Sequence, residues 1–181
     1  MSSLLAWRRE RLPWRLALPV TTGLALPAAW AGGDARLLLS AWPMALLLFA
    51  IFRLGDDLAD RERDATRTPA RVMVVGPPRP FRIALAASTL LALLALAAAS
   101  WIAFTVLLLF GAVLTAGYLL ARPRIRDATW RYGLLLTKYP AMVAALSCLQ
   151  SAPTLDRLCA AAGAAWAGAI AYERWHTEGE S

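Results

Sequence analysis

Apolar and polar positions alternate in long blocks along this chain. Six mostly apolar runs cover about Leu16–Ala31, Leu37–Phe52, Phe81–Ser100, Phe104–Ala121, Tyr132–Leu149 and Leu158–Ala171. Several reach the length, about 20 residues, that a helix needs to cross the hydrocarbon core of a bilayer. Breaks fall at Gly32-Gly33, at Gly76-Pro77-Pro78 and at Ser151-Ala152-Pro153-Thr154. The third and fourth runs follow each other almost without a loop, which predicts a helical hairpin. No internal repeat or low-complexity linker divides the blocks. The pattern predicts an all-α, polytopic membrane helical bundle of about six transmembrane helices, with residues 1–181 forming one domain.

Composition agrees with that pattern. The chain is 59% hydrophobic and 17% charged, with a mean hydropathy of +0.52, whereas a soluble domain carries about 25% charge. The basic start before the first run, and Ala29-Trp30-Ala31 at its end, also fit a secretory signal peptide; a retained first helix is the reading adopted. A net charge of +7 could suit nucleic acid, but the basic residues cluster between the apolar runs, as topology signals do. With the N-terminus inside, all but Arg36 and Arg157 of the 19 basic residues fall on one side. This places the N-terminus and the connector after the second run in the cytoplasm, in a membrane expected to be the bacterial inner one. Membrane lipids, and no nucleic acid, are the expected surroundings. Cys148 and Cys159 lack ligand spacing, and His176, the only histidine, sits in a polar tail.

The candidate chemistry lies where the second run ends. Four aspartates, Asp56, Asp57, Asp60 and Asp64, occupy the stretch that begins at Arg53 and continues to Arg67. At about 100° per residue on a helix, the four share one face and Arg53 and Arg67 flank it. Carboxylates this close raise one another's pKa values unless something positive sits among them. One option is a solvated helix tied by pairs such as Asp57–Arg61 and Asp60–Arg53. The other is a magnesium–diphosphate site: Mg²⁺ takes carboxylate and phosphate oxygens, and guanidinium forks suit the remaining phosphate oxygens.

Asp56-Asp57-Leu58-Ala59-Asp60-Arg61-Glu62-Arg63-Asp64 resembles the Asn-Asp-x-x-Asp-x-x-x-Asp signature of the UbiA-type intramembrane prenyltransferases, which also follows the second membrane helix. Their frequent continuation, Asn-Arg-Pro-x-Arg-Pro-Ile-Pro-Ser-Gly, is matched without gaps by Pro69, Arg71 and Gly76. Asp56 replaces the first Asn, and valines replace two prolines. The resemblance implies that Asp56, Asp57, Asp60 and Asp64 bind Mg²⁺, with Asp57, Asp60 and Asp64 catalytic. It implies further that Arg53, Arg67 and Lys138 hold the diphosphate of a prenyl diphosphate, whose isoprenoid group passes to a lipid-soluble acceptor, an aromatic one among the options. Lys138 equally reads as a lysine snorkelling to the interface.

Members of that family usually have about nine membrane helices and a second aspartate-rich loop. This chain lacks both the last helices and that loop, and Glu173 and Glu178 in the tail have the wrong spacing to replace it. A homo-oligomer is a further option. Asp56–Asp60 also matches the box of soluble isoprenyl diphosphate synthases, whose composition differs. The rival from another class is a non-catalytic integral membrane protein, a transporter subunit or assembly factor, that keeps a charged cytoplasmic loop. A transporter would more often place ionisable groups near mid-membrane.

Overall fold

The computed structural model describes residues 3–120, 136–150 and 152–178, apart from the side chains of Thr115, 117–120 and 173–178. The described residues form helices joined by short turns, with no strand. In chain order these are α1 (Ser3–Arg11), α2 (Trp14–Gly32), α3 (Leu37–Ala59), α4 (Arg61–Arg67), α5 (Val72–Val75), α6 (Pro78–Ala99), α7 (Trp101–Leu120), α8 (Lys138–Ser147) and α9 (Leu155–Glu178). The connector Arg122–Arg131 and the first residues of the fifth apolar run lie outside the described residues, as do the side chains of Glu173, His176 and Glu178.

Local chemistry sets the breaks. Gly33 closes α2 at φ 74°, with its N–H donated to the carbonyls of Ala29 and Trp30; only glycine takes that left-handed conformation without a Cβ penalty. Ser100 turns the hairpin in extended conformation (φ −160°, ψ 116°). Its Oγ accepts the N–H of Ala103 at 3.2 Å and so caps α7. Pro78 and Pro80 open α6, where a missing N–H costs little.

The helix expected across 53–67 is interrupted. Asp60 sits at φ −89°, ψ 2° between α3 and α4. The hydrogen bonds nevertheless continue through it, Asp60 N–H to the Asp56 carbonyl at 2.9 Å and Asp64 N–H to the Asp60 carbonyl at 2.8 Å.

α2 runs through the middle of the bundle against α3, α8 and α9, while α6 packs on α3 and α7, and α7 on α8. The buried face of α2 is small apart from Leu24: Ala17, Thr21, Ala25, Ala28, Ala29 and Ala31. It meets Ala41 and Ala45 of α3 and Met142, Val143, Ala145 and Leu146 of α8. Small faces let helix backbones approach closely, which is how helices associate where lipid removes the hydrophobic drive. Thr21 and Ser147, both fully buried, return their hydroxyls to carbonyls four residues back at 2.7 Å.

The outside is apolar. Leu90, Leu94, Leu109 and Val113 on α6 and α7 are each about 60% exposed or more. Among the described residues two helices, α3 and α6, are long and apolar enough to cross a membrane, and α7 adds the shorter apolar stretch Trp101–Leu114.

Candidate functional site

The acidic stretch stands at the end of the bundle where α3 finishes, and α1 folds back beneath it. Trp7 of α1 packs with Leu54, Met73 and Phe81 in a small apolar cluster separate from the main core. On that base sits Asp57, only 5% exposed. It accepts the indole N–H of Trp7 at 2.8 Å and the Arg11 guanidinium through Nε at 3.0–3.1 Å and Nη2 at 2.7 Å. The hydrogen bond to Asp57 pushes the Arg11 pKa above its ordinary value, against the opposing effect of burial. Asp57 is thus fully engaged by two side chains that lie 46 and 50 positions away.

The remaining aspartates diverge. Asp64, buried, pairs with Arg71. Asp56 pairs with Lys138, so two residues singled out in the sequence do meet across 82 positions. Asp60 is half-buried, Arg67 is exposed, and neither side chain has a partner among the described residues. Arg61 turns away from Asp57 and donates to the carbonyls of Met73, Val74 and Gly76. It thereby satisfies groups that the short α5 leaves open. Glu10 accepts the Val72 N–H at 3.1 Å at the other end of α5. The pairs Asp57–Arg61 and Asp60–Arg53 therefore do not form; α1 and α5 supply or claim the partners instead.

Mg²⁺ needs several oxygen ligands converging at about 2.0–2.1 Å. Among the described residues no three His, Cys, Asp or Glu side chains converge in that way. Asp56, Asp57 and Asp64 direct their oxygens to three separate cations. As placed, this donor set does not fit the ion.

Arg53, like Asp60 and Arg67, stands outside the ion pairs. Its Nε is buried and has no hydrogen-bond partner, a state that costs about 1–3 kcal/mol or more for a charged group. Arg53 lies on the wall of a half-open cavity of about 540 Å³ lined by α2, α3, α8 and α9. The Arg11–Asp57 and Asp56–Lys138 pairs hold the end of α1, just before α2, the end of α3 and the start of α8 at one end of the molecule. Arg15, Arg53, Tyr139 and Tyr172 lie toward that end of the cavity, and Leu24, Pro27 and Ala164 lie farther along α2 and α9 from it. The cavity therefore grades from cationic to apolar. A smaller hollow of about 430 Å³ borders Gly33, Asp34 and Arg157 at the α2–α3 turn, far from the acidic stretch.

Trp7, Arg11, Arg15 and Arg71 escaped the sequence reading as site residues. Leu4, Trp7 and Arg11 recur at the spacing of one helical face, which was a usable signal for α1. No family model, curated protein or solved structure matches the chain, so the likeness to the prenyltransferases rests on the quoted residues alone.

Proposed function

We propose that the chain is an integral membrane protein of about six helices that binds a prenyl diphosphate at its cytoplasmic end and transfers the prenyl group to a lipid-soluble acceptor. The observation that carries this reading is Arg53, a half-buried side chain whose Nε–H is buried and unpartnered at the charged end of an otherwise apolar cavity. Such a graded site suits a ligand with an anionic head and a hydrocarbon tail. In the transfer, the allylic C–O bond breaks and its electron pair leaves with diphosphate. An electron-rich carbon of the acceptor then forms the new C–C bond and gives up a proton. Arg53, Lys138 and Arg67 would screen the departing charge. Mg²⁺ at Asp56, Asp57, Asp60 and Asp64 is left out of the scheme, because three of those carboxylates already serve Lys138, Arg11 and Arg71.

The same three pairs favour a second reading, a non-catalytic membrane protein whose acidic stretch fastens α1, α5 and α8 to the end of α3. Titration of the purified protein with radiolabelled farnesyl diphosphate, with and without Mg²⁺, separates the two. Saturable binding that Arg53→Gln weakens by about tenfold, a loss of about 1.4 kcal/mol, supports the transferase. Absence of saturable binding under both conditions leaves the fastening role.

A further inference from the structure

We infer that the hollow at the α2–α3 turn is a binding site for one phosphatidylethanolamine molecule, with the lipid phosphate on Arg157 and Trp30 and the lipid ammonium on Asp34. Occupancy of this site depends on the membrane reading and on no part of the transferase. The hollow, of about 430 Å³, is lined by Leu26 and Trp30 of α2, Gly33 and Asp34 of the turn, Leu38 of α3 and Arg157 of α9. Leu26, Trp30 and Gly33 recur at the spacing of one helix face. The Arg157 guanidinium crosses the end of α2 at Gly33, where a Cβ would stand 3.2 Å from its Nη1. The carbonyl end of a helix attracts a cation, which accounts for the place of the guanidinium and leaves its N–H groups open.

Three polar groups at the hollow have capacity to spare. Among the described residues nothing accepts from the Arg157 guanidinium or from the Trp30 indole N–H, and the Asp34 carboxylate takes only the Arg36 N–H, at 2.8 Å. Asp34 and Arg157 line one hollow and yet do not pair with each other. A guanidinium and an indole donate to phosphate oxygens, and a carboxylate accepts from an ammonium. A head that carries both groups satisfies all three side chains at once. The wider charge agrees. The α2–α3 turn and the start of α9 carry Asp34, Arg36, Asp156 and Arg157, two acids against two bases, so a neutral head with separated charges is matched and a net anion is not. Trp30, 58% exposed, and Leu26, 52% exposed, continue from the hollow along α2. A tryptophan at the level of the lipid heads with leucine beside the acyl chains is the usual order at a membrane interface.

Native mass spectrometry of the full chain, from a neutral detergent doped with one lipid at a time, reads occupancy, and amide hydrogen exchange over residues 29–38 in nanodiscs places it. Phosphatidylethanolamine is expected to stay at one molecule per chain and to slow exchange over 29–38 more than phosphatidylglycerol does. Arg157→Gln and Asp34→Asn should each weaken its retention by about threefold, within the range of an exposed charge pair. Asp34→Asn should not weaken phosphatidylglycerol, whose head brings no cation to the carboxylate. Equal retention of phosphatidylethanolamine by the parent and both variants, or exchange over 29–38 that is the same in the two lipids, overturns the inference. Glycerophosphoethanolamine, the same head without tails, should fail to displace the lipid; displacement at equal concentration would assign the hollow to a soluble zwitterion and overturn the lipid site. Both substituted residues are exposed, so the variants' thermal midpoints should match the parent and exclude misfolding as the cause. Neither residue borders the Arg53 cavity. Farnesyl diphosphate binding that both variants keep, beside a loss of phosphatidylethanolamine, would therefore hold the lipid site apart from the transferase.

Discussion

At the scale of residues, four aspartates that look alike in the sequence carry different duties. Asp57 is buried and bound by Trp7 and Arg11, whereas Asp60 is half-buried with no side-chain partner among the described residues. Replacing Asp57 by Asn removes the charge that Arg11 neutralises and leaves a part-buried guanidinium underpaired. Hydrogen bonds to charged groups contribute about 1.5–3 kcal/mol, so Asp57→Asn should destabilise by about that amount in a denaturation series in detergent. Asp60→Asn should stay within about 0.5 kcal/mol of the parent. If the two variants melt together, Asp57 is not the anchor described. Helical projection found all four carboxylates and the two flanking arginines, because spacing along one helix is written in the sequence. It did not find which cation each would choose. Asp57 and Asp56 take partners 46 and 82 positions away, which periodicity does not align, and Asp64 takes Arg71, seven positions on but beyond the end of α4.

At the scale of elements, the breaks were legible wherever a glycine, proline or turn residue marked them. Gly32-Gly33, Gly76-Pro77-Pro78 and the short link at Ser100 all separate helices as expected. The interruption at Asp60 was not legible, since nothing in Leu58-Ala59-Asp60-Arg61 disfavours helix. α1 was missed because a polar, arginine-rich start reads as solvated until Trp7 is placed on Leu54, Met73 and Phe81. Two predictions belong here. Trp7→Ala should release α1 while α2 stays packed, seen as faster amide hydrogen exchange confined to Ser3–Arg11; protection unchanged there would mean that α1 does not depend on the indole. Gly32→Ala should destabilise by about 1–3 kcal/mol, because its Cβ would meet Leu37 Cδ2 at 2.5 Å and the Ser147 carbonyl at 3.2 Å. Gly55→Ala, in open space within α3, should instead stabilise by roughly 0.5–1 kcal/mol. Opposite signs at two helical glycines separate close packing from helix propensity.

At the scale of the whole molecule, the distribution of surface decides how it sits. The ion pairs gather at the end formed by α1, α4, α5 and the start of α8, while the flanks of α6 and α7 show leucines and valine outward. Exposed apolar surface on this scale marks contact with lipid or with another protein, and the length of α3 and α6 suits lipid. Among the described residues the basic side chains concentrate at the ion-paired end, and the positive-inside rule predicts that this end faces the cytoplasm. In a chain carrying Cys148→Ala and Cys159→Ser, single cysteines test this arrangement against a membrane-impermeant thiol reagent. Asp34→Cys, exposed at the α2–α3 turn, should label in intact cells. Thr66→Cys, exposed on α4, should label only after permeabilisation. Leu94→Cys, on the outward face of α6, should resist labelling in both, because lipid excludes the reagent and keeps the thiol from ionising. Labelling of Thr66→Cys before Asp34→Cys would invert the topology, and ready labelling at Leu94→Cys would replace the lipid contact with an aqueous face.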